Sequence, residues 1–135
     1  TMNLFTIETA LRIAGLMLTG LVLANFVAAK RWDYSGNLTD TMTIIRQIFH
    51  VHCAYIIAII AGLALLCLGW PQLLMEKGMG QVVSAFFAVF WLSRVIVQLT
   101  YYDSELRAQN RCWDVFFLAV FLTLAIIFAL ATLSP

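Results

Sequence analysis

Four apolar stretches, each long enough to cross a bilayer as a helix, constrain this chain more than any other feature. They run over about 5–29, 41–68, 81–102 and 112–133. A helix needs about 20 mostly apolar residues to span the hydrocarbon core of a membrane. The sequence therefore predicts an all-α integral membrane protein, with a single domain over 1–135 built as an antiparallel, up-down bundle of four transmembrane helices.

The composition supports the prediction of a membrane protein and limits the kinds of binding partner to expect. Of the 135 residues, 63% are hydrophobic and only 11% are charged, whereas soluble domains have about 45–50% apolar and about 25% charged residues. The net charge of +1 and the absence of a basic run favour no nucleic-acid partner. We expect membrane lipids as partners, and a homo-oligomer or a larger membrane complex stays open.

Two features of the first stretch predict contacts near its start. Glu8 and Arg12 are spaced one helical turn apart, which predicts an ion pair on one face of the helix. Gly15 and Thr19 continue that face with the spacing of small residues that permits close approach of a second helix.

A second group of polar residues lies inside the second and third stretches. His50 is about nine residues beyond Thr41, and Arg94 is about nine residues before Asp103, so both lie roughly 14 Å along their helices from the same side. An arginine at this depth is costly and needs a partner. Because side chains lean toward the N-terminus of their helix, we expect Arg94 to lean toward the middle of the membrane and to face the bundle.

Helical periodicity assigns these residues to faces. Arg94, Gln98 and Tyr101 share one stripe on the third helix, and Arg46 and His50 share one on the second. Arg94 would supply a fixed charge and planar donors, and Gln98 and Tyr101 would supply neutral hydrogen bonds. The candidate ligand-binding residues are therefore Arg94, Gln98, His50, Arg46, Tyr101 and Asn25.

Three functions are compatible with this polar group. The first is a non-catalytic binding or accessory protein, whose pocket in the cytoplasmic half of the membrane holds a lipid headgroup, a quinone carbonyl or a haem propionate. The second is a membrane redox protein or enzyme that uses His50 as a haem or metal ligand or as an acid/base. The third is a structural subunit of a larger complex. In a purely structural interpretation, Arg94 and Gln98 bond neighbouring helices, with Asn25 or a backbone carbonyl as the partner.

The sequence leaves the cofactor and the catalytic residues open. His50 and His52, the two histidines of the chain, point to different sides of a regular helix and form no motif with a carboxylate. We therefore predict no metal site, while haem and quinone stay possible cofactors.

The basic residues predict an orientation in the membrane. Four of them lie beside the first and third loops: Lys30, Arg31, Arg107 and Arg111. The opposite side offers Lys77, and basic residues are enriched on the cytoplasmic side of membrane proteins. We therefore expect loops 30–41 and 103–111 in the cytoplasm and both termini outside.

Part of the chain also resembles a broad class of proteins. The run from Arg46 through His50, His52 and Tyr55, followed by 90–94 and 98–103, resembles small bacterial four-helix membrane proteins. The resemblance implies no activity. We expect the chain in the cytoplasmic membrane of a bacterium.

Overall fold

The computed structural model describes residues 3–135, and these residues form helices joined by short links. The helices are α1 (Leu4–Arg31), α2 (Tyr34–Asn37), α3 (Thr43–Gly69), α4 (Pro71–Met75), α5 (Met79–Thr100), α6 (Ser104–Gln109) and α7 (Arg111–Thr132). The helices α1, α3, α5 and α7 are each long and apolar enough to cross a membrane. The predicted all-α four-helix bundle is confirmed, and its long apolar helices are those of an integral membrane protein.

Local sequence signals explain where several helices begin. The Asn3 side chain accepts a hydrogen bond of 2.8 Å from the Thr6 backbone N–H, which caps the first turn of α1. Pro71 opens α4, because proline lacks the N–H that a first helical turn leaves unpaired. Gly78 precedes α5 with φ +92°, a conformation that other residues rarely adopt.

The four long helices form two pairs that meet along one contact. α1 packs on α3, α5 packs on α7, and α1 also packs on α7, whereas contact between α3 and α5 is at most marginal. The bundle is therefore an open row in the order α3, α1, α7, α5. We call the side with α4 and the C-terminal residues the terminal end, and the side with α2 and α6 the loop end.

The terminal end is closed by α4, which contacts all four long helices. The buried Ser84 hydroxyl of α5 donates a hydrogen bond of 2.6 Å to the Leu74 carbonyl. The Ser134 hydroxyl donates one of 3.1 Å to the Met75 carbonyl. These bonds satisfy carbonyls that a short helix leaves unpaired, so α4 is held as a plug between the long helices.

The ion pair predicted near the start of α1 is confirmed at this end, and so is the close approach of a second helix at Gly15, whereas the Thr19 hydroxyl donates a hydrogen bond to the Gly15 carbonyl of its own helix. The Arg12 guanidinium lies 3.1 Å from a Glu8 carboxylate oxygen and also donates a hydrogen bond of 2.8 Å to the Leu68 carbonyl at the end of α3. A Cβ atom at Gly15 would stand 3.1 Å from the Cβ of Cys67, so the absence of a side chain there brings α1 close to α3.

The loop end is open, because the core occupies the terminal half of the bundle. The last buried residue of α1 is Leu21, and the first buried residue of α3 is Ile60. The segment of α1 after Leu21 and the segment of α3 before Ile60 contain no buried residue. The long helices therefore diverge toward this end and leave a cleft between them.

Candidate ligand-binding cleft

The cleft has a volume of about 950 Å³, and all four long helices and α6 line it. Its walls are largely apolar and aromatic. Many nonpolar residues at its rim are exposed, including Leu23 at 62%, Val27 at 59%, Phe116 at 54% and Ile56 at 52%. A cleft of this size, with apolar walls and a few convergent polar groups, is the usual form of a small-molecule site.

One wall of the cleft is a column of four stacked aromatic rings. Trp113, Phe117 and Phe121 are spaced four residues apart on α7, so they share one face of that helix. The ring centroids are 6.1 Å apart for Trp113 and Phe117 and 6.0 Å apart for Phe117 and Phe121. Trp91 of α5 continues the column, 5.7 Å from Phe121. We call these four residues the aromatic column.

Arg94 is the cation beside this column. Its guanidinium carbon lies 5.0 Å from the centroid of the Phe121 ring, within the range of a cation–π contact. Within residues 3–135, no hydrogen bond or ion pair of this guanidinium is found. Arg94 is half-buried and lines the cleft, so its planar donors are available to an occupant.

The direction of the Arg94 side chain agrees with the expectation that it leans away from the loop end. Arg94 lies six residues before the end of α5, and Phe121 lies ten residues after the start of α7. At 1.5 Å per residue these positions are about 9 Å and about 15 Å from the loop end. The guanidinium therefore points deeper into the bundle than its own backbone.

Gln98 is already bonded within the protein. Its amide nitrogen donates hydrogen bonds of 2.9 Å to the Asp114 carboxylate and 3.1 Å to the Asp114 carbonyl. Arg107 reaches the same carboxylate from α6 with a distance of 3.0 Å. Asp114 is 8% exposed and Gln98 is 7% exposed, so this network joins α5, α6 and α7 below the mouth of the cleft. Gln98 thus fits the structural interpretation, in which it bonds a neighbouring helix.

Two further polar groups line the cleft. Asn25 donates a hydrogen bond of 2.8 Å to the Leu21 carbonyl of its own helix, and it is not the predicted partner of Arg94. Trp91 is 2% exposed, and its indole N–H finds no acceptor in the part of the chain that the structure describes. An unpaired buried donor is costly, and an oxygen atom of an occupant would be one way to satisfy it.

The structure brings Arg94, Gln98 and Asn25 to one cleft and places the other three candidates outside it. His50 is exposed, with its ring 5.9 Å from that of Phe49. Arg46 donates a hydrogen bond of 3.3 Å to the Thr39 carbonyl. Tyr101 is 82% exposed.

The placement of Arg46 and His50 has a physical reason. Both lie on one face of a regular helix, but the part of α3 that carries them has diverged from the bundle. Tyr101 still has helical backbone angles and its N–H bonds the Val97 carbonyl, yet its side chain is exposed at the loop end. Tyr102 lines the cleft in its place.

Sequence reasoning also missed several cleft residues. Asp114 was not among the candidates, and Arg107 was considered only as a basic residue beside the third loop, yet the Asp114 carboxylate bonds both Gln98 and Arg107 beside the cleft. The aromatic column was missed as well. Its signal was present in the four-residue spacing of Trp113, Phe117 and Phe121, which an apolar span easily hides among other large residues.

Tyr34 covers part of α3 at the loop end. Its ring packs edge-on against Phe49 at 5.5 Å. Burial, and to a lesser degree the neighbouring Cys53 and Tyr102, raises the pKa of the Tyr34 phenol above its usual value. The phenol is therefore neutral at physiological pH.

Comparison of the chain with protein-family models, with curated proteins and with solved structures gave no match. We therefore infer the function from the cleft alone. The cleft combines apolar walls with a guanidinium for which residues 3–135 supply no hydrogen-bond or ion-pair partner.

Proposed function

We propose that this protein is a non-catalytic membrane protein that binds the polar or anionic group of an amphipathic molecule in the cleft. The observation that carries the proposal is the Arg94 guanidinium, which lines an apolar cleft and makes a cation–π contact with the Phe121 ring. A cation among apolar walls is costly, and such residues in membrane proteins mark functional sites by default.

The surroundings of the cleft favour an occupant that comes from the membrane. The aromatic column offers flat apolar surface, and the exposed rim residues Leu23, Val27 and Phe116 would face lipid. An amphipathic molecule would place its polar group at Arg94 and its apolar part along the aromatic column or between the rim residues.

We propose that the loop end faces the cytoplasm and that the membrane is the cytoplasmic membrane of a bacterium. Support comes from Lys30 and Arg31 at the end of α1 and from Arg107 and Arg111 around α6, against Lys77 at the terminal end. The cleft would then open on the cytoplasmic half of the bilayer.

The proposal is tested by replacing Arg94 and measuring what the protein carries. Wild-type protein and Arg94→Leu are purified in a mild detergent, and native mass spectrometry counts the small molecules bound to each chain. We expect at least one bound amphipathic molecule on the wild type and a loss of about tenfold in occupancy for the variant, equivalent to about 1.4 kcal/mol.

Two matched variants are the controls. Arg111→Leu removes an arginine outside the cleft, and His50→Ala removes an imidazole outside it, so both are expected to keep the wild-type occupancy. Circular dichroism checks that every variant retains its helices. Equal occupancy in Arg94→Leu and wild type, with the helices intact, would contradict the proposal. The same spectra report whether the chain is a homo-oligomer.

A further inference from the structure

The charges around the cleft leave one positive charge uncompensated. Its lining contains three arginines and two aspartates: Arg31, Arg94, Arg107, Asp103 and Asp114. Arg107 and Asp114 form an ion pair of 3.0 Å. Asp103 and Arg31 lie at the loop end, where water and lipid headgroups reach charged side chains. The excess cation in the apolar part of the cleft is therefore Arg94.

The position of Arg94 restricts the anion that can reach it. Its guanidinium stands beside the Phe121 ring, at a depth between those of the two backbones, which are about 9 Å and about 15 Å from the loop end. Half the hydrocarbon thickness of a bilayer is about 15 Å, so the guanidinium lies inside the hydrocarbon core, below the headgroups. The phosphate of a bilayer phospholipid stays in the headgroup region, outside the hydrocarbon core. A phospholipid of the surrounding bilayer therefore does not place its phosphate at Arg94.

A carboxylic acid can reach the same depth at a much lower cost. In apolar surroundings a carboxylic acid takes the neutral form, whereas a phosphodiester remains charged at neutral pH. The acid would cross the apolar rim protonated. At Arg94 the acid would ionise, and its proton would pass to water at the loop end. The two oxygens of the carboxylate would then accept hydrogen bonds from the planar guanidinium. Paired N–H donors match a carboxylate in this bidentate geometry.

We propose that the occupant of the cleft is a single-chain amphiphile with one carboxylate, of the fatty-acid type, whose carboxylate binds Arg94. This inference rests on the function proposed above and names its ligand class. One uncompensated guanidinium matches one negative charge, and the aromatic column beside it accepts the first part of an apolar chain. The rest of the hydrocarbon chain of the ligand leaves the cleft through the exposed rim.

The test uses Trp91, one of the two tryptophans of the aromatic column, as the probe. A protein that keeps Trp91 alone carries Trp32→Phe, Trp70→Phe and Trp113→Phe. A control protein keeps Trp70 alone, which is exposed on the link between α3 and α4 at the terminal end. Both are placed in lipid nanodiscs and titrated with stearic acid that carries a spin label near its carboxylate, and with the methyl ester of the same molecule. The spin label quenches nearby tryptophan fluorescence.

We expect the acid to quench Trp91 in a saturable manner, with half-saturation at a concentration about tenfold lower than the ester requires. Quenching of Trp70 is expected to be linear and equal for acid and ester. In Arg94→Gln the advantage of the acid over the ester should disappear. Unlabelled stearate should restore Trp91 fluorescence more effectively than unlabelled single-chain phosphatidylglycerol at the same concentration.

The outcomes separate this inference from the function on which it rests. Saturable quenching of Trp91 that is equal for acid and ester would overturn the carboxylate and leave binding in the cleft intact. More effective competition by the phosphate-headed lipid would replace the carboxylate by a phosphate and also overturn the inference. Quenching of Trp91 that is linear and no stronger than that of Trp70 would overturn both. The comparison of acid with ester needs only the wild-type arginine, so it holds even if Arg94→Gln fails to fold.

Discussion

Arg94 and Gln98 lie one helical turn apart on α5, yet their polar atoms have different partners. The Gln98 amide is bonded to Asp114, whereas the Arg94 guanidinium rests on an aromatic ring. Periodicity placed both on the inner face of the helix, because an inner face is a local property. It did not identify Asp114 as the partner of Gln98, since that depends on how far α7 is shifted along α5.

Local pairs were predicted more reliably than pairs between helices. Glu8 and Arg12 form the expected ion pair, since four-residue spacing on a helix fixes their separation. His50 was expected to face Arg94, and that expectation needed α3 to stay packed along its whole length. The open loop end of the bundle is a long-range property that the composition of α3 does not encode.

At the residue scale, the ion pair of Arg107 and Asp114 leads to an asymmetric prediction. The Asp114 side chain is 7% exposed and that of Arg107 is 24% exposed. Arg107→Gln leaves a buried carboxylate without its cation and should lower the free energy of unfolding by about 3 kcal/mol. Asp114→Asn leaves a cation that can turn toward water, so its cost should be smaller, about 1 kcal/mol.

Unfolding by sodium dodecyl sulfate in mixed micelles, followed by circular dichroism, measures both values. The double variant Arg107→Gln/Asp114→Asn is the matched control, because it has no unpaired charge. It is expected to be more stable than Arg107→Gln alone. A cost of Asp114→Asn equal to or above that of Arg107→Gln would contradict the buried position of the carboxylate.

At the scale of elements, the four long helices were predictable nearly to their ends. Each observed end lies within two residues of the predicted one. Runs of apolar residues of bilayer length leave little choice of secondary structure, because backbone groups in lipid must bond within the helix. The short helix α4 was not predicted, since it lies between the second and third apolar stretches. Its docking depends on Ser84 and Ser134, which lie far from it in the sequence.

The bond from Ser84 to α4 gives a prediction at this scale. Ser84→Ala leaves the buried Leu74 carbonyl without its donor and should lower the free energy of unfolding by about 1–2 kcal/mol. Ser93→Ala on the same helix is the control, since the exposed Ser93 hydroxyl bonds a carbonyl of its own helix. Its effect should stay within about 0.5 kcal/mol. The two variants are compared by the same detergent titration. Equal stability of both would show that the bond does not hold α4.

At the scale of the whole molecule, the fold combines a closed terminal end with an open loop end. Composition and hydropathy predicted four spans, but they could not predict this asymmetry. It results from the distribution of packing residues: Gly15, Cys67 and Ser84 permit or make close contacts near α4. The segment of α1 after Leu21 and the segment of α3 before Ile60 have large exposed apolar residues and no buried ones.

The orientation of the molecule can be measured directly. In a variant without native cysteines, Ser104→Cys places a thiol at the loop end and Met79→Cys places one at the terminal end; both positions are exposed. Intact cells are treated with a maleimide that cannot cross membranes. The positive-inside rule predicts that Met79→Cys reacts and that Ser104→Cys reacts only after the membrane is permeabilised. The reverse pattern would invert the topology.

The plug formed by α4 limits the routes by which a bound molecule can enter and leave the cleft. Because Ser84 and Ser134 hold α4 across the terminal end, a molecule that enters the cleft meets a dead end. It must depart by the route of its arrival and return to the same leaflet. Under the proposed function, the protein would therefore exchange its occupant with one monolayer of the bilayer.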